Sequence, residues 1–142
     1  MSKTLTALTL SVALATFPSL GAAQDSASIA LELNNAATVD TTCRVTYVAR
    51  TGLDSDLEVM TLEIAVFDAE GTVTDTRILL DFGSMAAGKT KAIAFDLAET
   101  TCDQISRLLL NDVAECTAAD GSSPDCLAAL DTSSRTDIDF GL

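Results

Sequence analysis

From Ser28 onward, apolar and polar positions alternate along the chain in short runs broken by turn-forming residues. Ser28–Leu33 (SIALEL) alternates and predicts a first strand. In Thr42–Arg50 (TCRVTYVAR) the pattern is clearer: Cys43, Val45, Tyr47 and Ala49 share one face, and Arg44, Thr46 and Arg50 the other. Thr51–Asp56 (TGLDSD) reads as a turn. Leu57–Asp68 follows as a strand, with Leu62, Ile64 and Val66 opposite Glu63. Ala69-Glu70-Gly71 is a tight turn in which Gly71 can supply positive φ. Thr72–Phe82 is rich in β-favouring residues, and Lys89–Leu97 alternates with Ile93, Phe95 and Leu97 inward. Ile105–Val113 is apolar enough for a central strand, with a helix as the alternative. Pro124–Leu130 predicts one or two helical turns, and Ser133–Phe140 a last strand. About seven short strands at this spacing predict an all-β fold, an antiparallel β-sandwich, in one domain over residues 24–142.

The segment before this pattern has a different character. Lys3 precedes an apolar run, Leu5–Phe17, too short to span a bilayer; Pro18 breaks it. Gly21-Ala22-Ala23 then places small residues at the positions a signal peptidase requires, so residues 1–23 read as a signal peptide cleaved after Ala23. This predicts export, to the periplasm or beyond the cell. No Cys lies near the cleavage site and no Arg pair precedes the apolar run, which favours the general secretory route without a lipid anchor.

The four cysteines, Cys43, Cys102, Cys116 and Cys126, all follow this segment. An even count in an exported domain reads as two disulfides, and three pairings exist. The preferred one closes a short polar loop with Cys116–Cys126 and joins distant strands with Cys43–Cys102. Metal ligation is the alternative, but the chain has no CxxC and no His.

Charge narrows the partners. Eight Lys and Arg against 21 Asp and Glu give a net charge of −13, and cleavage would remove Lys3 as well. Such a balance opposes nucleic acid and anionic membranes and favours a basic macromolecular partner.

One motif resembles chemistry. Gly83–Thr90 (GSMAAGKT) matches the phosphate-binding pattern G-x-x-x-x-G-K-[ST] and follows a strand-like run. A helix should come next, so that its N-terminus faces the phosphates. Instead Lys91–Leu97 alternates with period two, so the segment reads as a turn between strands. With no His, the usual general base and the Ser–His and Cys–His nucleophiles are missing. A carboxylate pair of the kind glycosidases use remains as a hydrolase alternative. Asp54, Asp56 and Glu58 offer a calcium reading but lack the spacing of a calcium loop. No cofactor is implied.

The stretch Cys43–Leu97 resembles the FxLYD-type and related immunoglobulin-like domains of exported bacterial proteins. The resemblance rests on Ile64-Ala65-Val66-Phe67-Asp68-Ala69-Glu70-Gly71, on Ala86-Ala87-Gly88-Lys89 and on Ile93-Ala94-Phe95. Ile64 stands where that signature has an aromatic, and Val66-Phe67 where it has Leu-Tyr. The resemblance implies a Greek-key sandwich with a binding or accessory role, and carries over no catalytic residue. The expected function is therefore a non-enzymatic module, monomeric or weakly dimeric, that binds another envelope protein. The binding surface would be a sheet face, an exposed edge or the Cys116–Cys126 loop. A small hydrolase and an acidic inhibitor of a basic partner are the competing readings.

Overall fold

Alternation gives each strand one apolar row, and the rows close on one another between two stacked four-stranded sheets. The computed structural model describes residues 28–142; the expected signal segment and its cleavage site lie outside the described residues. In chain order the elements are β1 (Ile29–Val39), β2 (Thr42–Thr51), β3 (Leu57–Asp68), β4 (Val73–Asp81), β5 (Thr90–Leu97), β6 (Ile105–Ala118), α1 (Cys126–Ala129), β7 (Leu130–Ser134) and β8 (Asp139–Gly141). A 3₁₀ turn, Cys102–Gln104, leads into β6. The first sheet runs β5-β2-β1-β7 and the second β4-β3-β6-β8.

Three local rules explain most of the elements. The tight turn after β3 forms because Gly71 adopts φ 81°, while the Asp68 carboxylate accepts the amides of Glu70 and Thr72. Asp125 caps α1 by accepting the Ala128 amide at 3.0 Å. The mostly exposed second half of β1 is held by pairing rather than burial, with a register shift between Leu33 and Asn35 that turns its last residues along β2.

The end of the chain differs from the expectation. Ser133–Phe140 is not one strand. Its first part belongs to β7, which pairs parallel to β1, and its last part to β8, which pairs parallel to β6. Between them the Ser134 hydroxyl bonds to the Ile138 carbonyl at 2.7 Å and the Thr136 amide at 3.1 Å, turning the chain from one sheet to the other. The sheets are therefore mixed rather than antiparallel, and the strands number eight. Ile105–Ala118 is strand throughout, longer than expected and not helical.

One core fills the space between the sheets. Ile29, Leu31 and Leu33 of β1 meet Leu62 and Ile64 of β3 and Leu108 of β6, all essentially inaccessible. Tyr47 stands at its centre, edge-on to Phe82, Phe95 and Phe140 with ring centroids 5.9, 6.1 and 5.1 Å away. Its hydroxyl is buried without a hydrogen-bond partner, and burial pushes the phenol well above its usual pKa.

Cys43, at the start of β2, is bonded to Cys102 in the 3₁₀ turn, which ties the two sheets together at one end. Cys116 of β6 is bonded to Cys126 of α1. Two disulfides point to an oxidising, extracytoplasmic compartment.

Two stability predictions follow from these contacts. Tyr47→Phe removes a hydroxyl whose desolvation is uncompensated, so urea denaturation should show stability unchanged or raised by about 1 kcal/mol; a loss of similar size would mean the hydroxyl has a partner. On the chain-entropy account, removing Cys43–Cys102, which closes 59 residues of separation, should cost about 4 kcal/mol. Removing Cys116–Cys126, with a separation of 10, should cost about 3 kcal/mol. The paired Cys→Ala variants compared by urea melting check that order.

Candidate functional site

Most of the phosphate-loop lookalike is employed in the fold. The amides of Gly83, Met85, Ala87, Gly88 and Lys89 donate to Asp81 Oδ1, Leu57 O, Asp56 Oδ1, Thr51 O and Ala86 O, at 2.7–3.1 Å. Lys91 Nζ donates to the carbonyls of Phe82 at 2.5 Å and Ser84 at 3.1 Å. Met85 is buried and bridges to Leu57. Thr90 opens a strand, not a helix. A phosphate cradle needs amides free to turn toward the ligand, and these are turned inward. The segment is the crossing from the second sheet to the first.

The carboxylates are dispersed. Asp56 is committed to the Ala87 amide, Asp54 lies in the β2–β3 loop, and Glu58 is exposed on β3. Among the described residues no three Asp, Glu or Cys side chains gather closely enough to hold a metal ion. Three carboxylates are held below their usual pKa, each by donors to the ionised form. Asn34 and then Arg135 act on Glu32, Arg44 acts on Asp96, and the Ser122 hydroxyl and amide act on Asp120. A general acid needs the opposite shift. A groove of about 470 Å³ beside the β1 register shift holds Asp103, Arg135 and Asp137, but Arg135 is already paired with Glu32 at 2.8 Å.

What the fold leaves open is the edge of the first sheet. Of the four outer strands, β8 has three residues and β7 five, and the pairing of β4 with β3 is interrupted between Ile64 and Val66. Short and bulged edges resist further pairing. β5 is different: its eight residues pair with β2 without a break, from Cys43↔Leu97 to Arg50↔Thr90.

The direction of its backbone groups follows from the register. Gly52 N donates to Ser28 O at 2.7 Å, directly opposite it in the β1–β2 ladder. Bonded pairs alternate along an antiparallel ladder, so even-numbered residues of β2 bond to β1 and odd-numbered ones to β5. Thr51 agrees, because its carbonyl turns to the β5 side and accepts Gly88 N. On β5 the residues opposite them, Lys91, Ile93, Phe95 and Leu97, bond back to β2. Thr90, Ala92, Ala94 and Asp96 present their N–H and C=O groups to the open side. Among the described residues, no backbone hydrogen bond joins β5 to anything but β2.

The side chains beside this edge are small at its centre and charged at its ends. Ala92 and Ala94 are exposed on the outer face. At the far end, Arg44 forms a two-pronged ion pair with Asp96, at 2.7 and 2.8 Å. At the near end Arg50 stands opposite Thr90, which Lys89 and Lys91 flank. The sequence patterning gave Arg50 its outward face and no further role. The one signal it offers is a pair of alanines where outward strand positions usually carry larger polar side chains.

Comparison of the chain with models of protein families, with curated proteins and with solved structures finds no match.

Native-state hydrogen exchange tests the assignment of the edge. The amides of Ala92 and Ala94 should exchange faster than those of Ile93 and Phe95, by a factor on the order of a hundred, while those of Met85, Ala87 and Gly88 stay protected. Equal protection along β5 would mean that the outward groups have a partner.

Proposed function

We propose that this chain is a non-enzymatic interaction module of the periplasm or the secreted space, which binds another envelope protein by taking an extended segment of it along the edge of β5. The observation that supports this reading best is the unbroken ladder of β5, whose outward donors and acceptors have no backbone partner among the described residues. Such an edge offers main-chain hydrogen bonds to any strand that can approach, and the small side chains of Ala92 and Ala94 let one approach closely.

The outer face of the second sheet and the Cys116–Cys126 loop are more fully occupied by the protein itself. On the outer face of the second sheet, Glu63 accepts from Arg77 at 3.3 Å and Asn111 at 2.8 Å, and Arg107 lies over the Phe67 ring at 5.9 Å. In the Cys116–Cys126 loop, Asp120 accepts from both the amide and the hydroxyl of Ser122, and Ala118 N bonds to Ser122 O. The likeness of residues 43–97 to immunoglobulin-like domains of exported proteins belongs with this reading, as do a Greek-key order of strands and a monomer or weak dimer in solution.

A proline in place of Ala94 removes one outward N–H and no bond to β2. Edge strands tolerate such a residue, so Ala94→Pro should fold with stability within about 1 kcal/mol of the parent. Tagged protein, cross-linked in the envelope of its own host, should bring down a specific protein by mass spectrometry that Ala94→Pro fails to recover. The same protein recovered by both would overturn edge binding. Nothing specific recovered by folded, oxidised protein would overturn the adaptor role itself.

A further inference from the structure

The edge is not neutral, and its charges select among strands. We infer that the segment added to β5 is acidic, with carboxylates placed against Arg50 and Lys89 at the N-terminal end of the strand. This rests on the strand-addition reading above and adds the chemistry of the partner.

Seven Lys and Arg lie among the described residues. Four have a carboxylate within salt-bridge distance: Arg44 with Asp96, Arg77 with Glu63, Arg107 with Asp139 and Arg135 with Glu32. The other three, Arg50, Lys89 and Lys91, have none among the described residues, in a protein whose acidic residues far outnumber its basic ones. All three sit at one place, the start of β5 and the β2 residues registered with it. Lys91 is held by two carbonyls, which orient its ammonium without neutralising it. Arg50 and Lys89 are exposed.

In the adjoining loops, Asp56 accepts the Ala87 amide and Asp81 the Gly83 amide, while Asp54 is exposed beside Leu53, Ser55 and Pro124 and forms no ion pair with the three cations. At the other end of β5, Asp96 is answered by Arg44, so the unmatched charge is confined to one end. Cations on an edge strand are a common guard against indiscriminate pairing. A basic or neutral strand laid here would abut or desolvate them, whereas an acidic one would complete their pairing. The net charge of the whole molecule favours basic partners, but its more distant carboxylates are screened beyond about 8 Å at physiological salt. The edge is a local exception.

The test uses labelled synthetic peptides of about ten residues, long enough to cover β5, with alternating valine and threonine. One series carries two glutamates at one end, a second glutamines and a third lysines, each with the charged pair at either terminus. Fluorescence anisotropy with the oxidised protein should rank glutamate over glutamine over lysine, with glutamate ahead of glutamine by about fivefold, as two exposed ion pairs allow. The preference should shrink in high salt. The double variant Arg50→Gln, Lys89→Gln should bring the glutamate and glutamine peptides to equal affinity, and Ala94→Pro should weaken every peptide. Equal affinity of all three for the parent protein, with loss in Ala94→Pro, would overturn the acidic preference and leave strand addition standing. No binding of any peptide by the folded protein, or binding that Ala94→Pro leaves unchanged, would remove both.

Discussion

Burial of one row of β2 governs the rest of the molecule. Cys43, Val45, Tyr47, Ala49 and Thr51 are all inaccessible to solvent, and β2 is paired on both sides. A slip of one residue would expose the whole row and carry Arg44 and Arg50 toward the core, a penalty large enough to fix the register. Because β1 and β5 both hang on β2, that register passes to each of them. It decides which residues of β5 bond inward and therefore which backbone groups remain on the open side. The candidate surface is a consequence of core packing, reached through one shared strand.

Each end of the sandwich has its own fastening. At the end where β2 begins, the Cys43–Cys102 bond joins the sheets covalently. At the other end the Cys116–Cys126 bond ties β6 to α1, which runs into β7, and local polar contacts add to it. The Thr51 hydroxyl accepts Leu53 N, its carbonyl accepts Gly88 N, and Met85 is bridged to Leu57 beneath them. This explains the sequence GSMAAGKT without nucleotide chemistry. Gly88 adopts φ 69°, where a side chain would be strained, and its amide is needed inside. Lys91 returns over the loop to satisfy two carbonyls that no strand reaches.

The stacked sheets were legible because burial imposes period two, and β2, β3 and β5 carry that period plainly. The division of Ser133–Phe140 was not. Alternation continues across it, and nothing in the period says that the strand changes sheets at Ser134; only the hydroxyl bonds at the bend do. The outer half of β1 escaped for the opposite reason, since its residues after Leu33 (NNAATV) break the alternation and, Ala36 apart, are exposed, held by a neighbour rather than a core. Edge status is a third kind of property. Lys89–Leu97 has the pattern of an interior strand, and what leaves it unpaired is the sheet order. The unmatched state of Arg50 likewise depends on carboxylates that the fold sends elsewhere.

These features together describe how an acidic protein can keep an open edge. A regular unpaired strand invites association with any other, including its own copies. A large negative charge suppresses self-association by general repulsion, but that repulsion is screened at the distances where strands meet. The last few ångströms must be controlled locally, and there the control is cationic: Arg50, Lys89 and Lys91 beside the first residues of β5. If the edge were only guarded, any charge would serve, and carboxylates are the charge this chain has in excess. Three cations with no carboxylate beside them among the described residues, two of them exposed, fit the proposed binding role, in which the guard would also be the point of recognition.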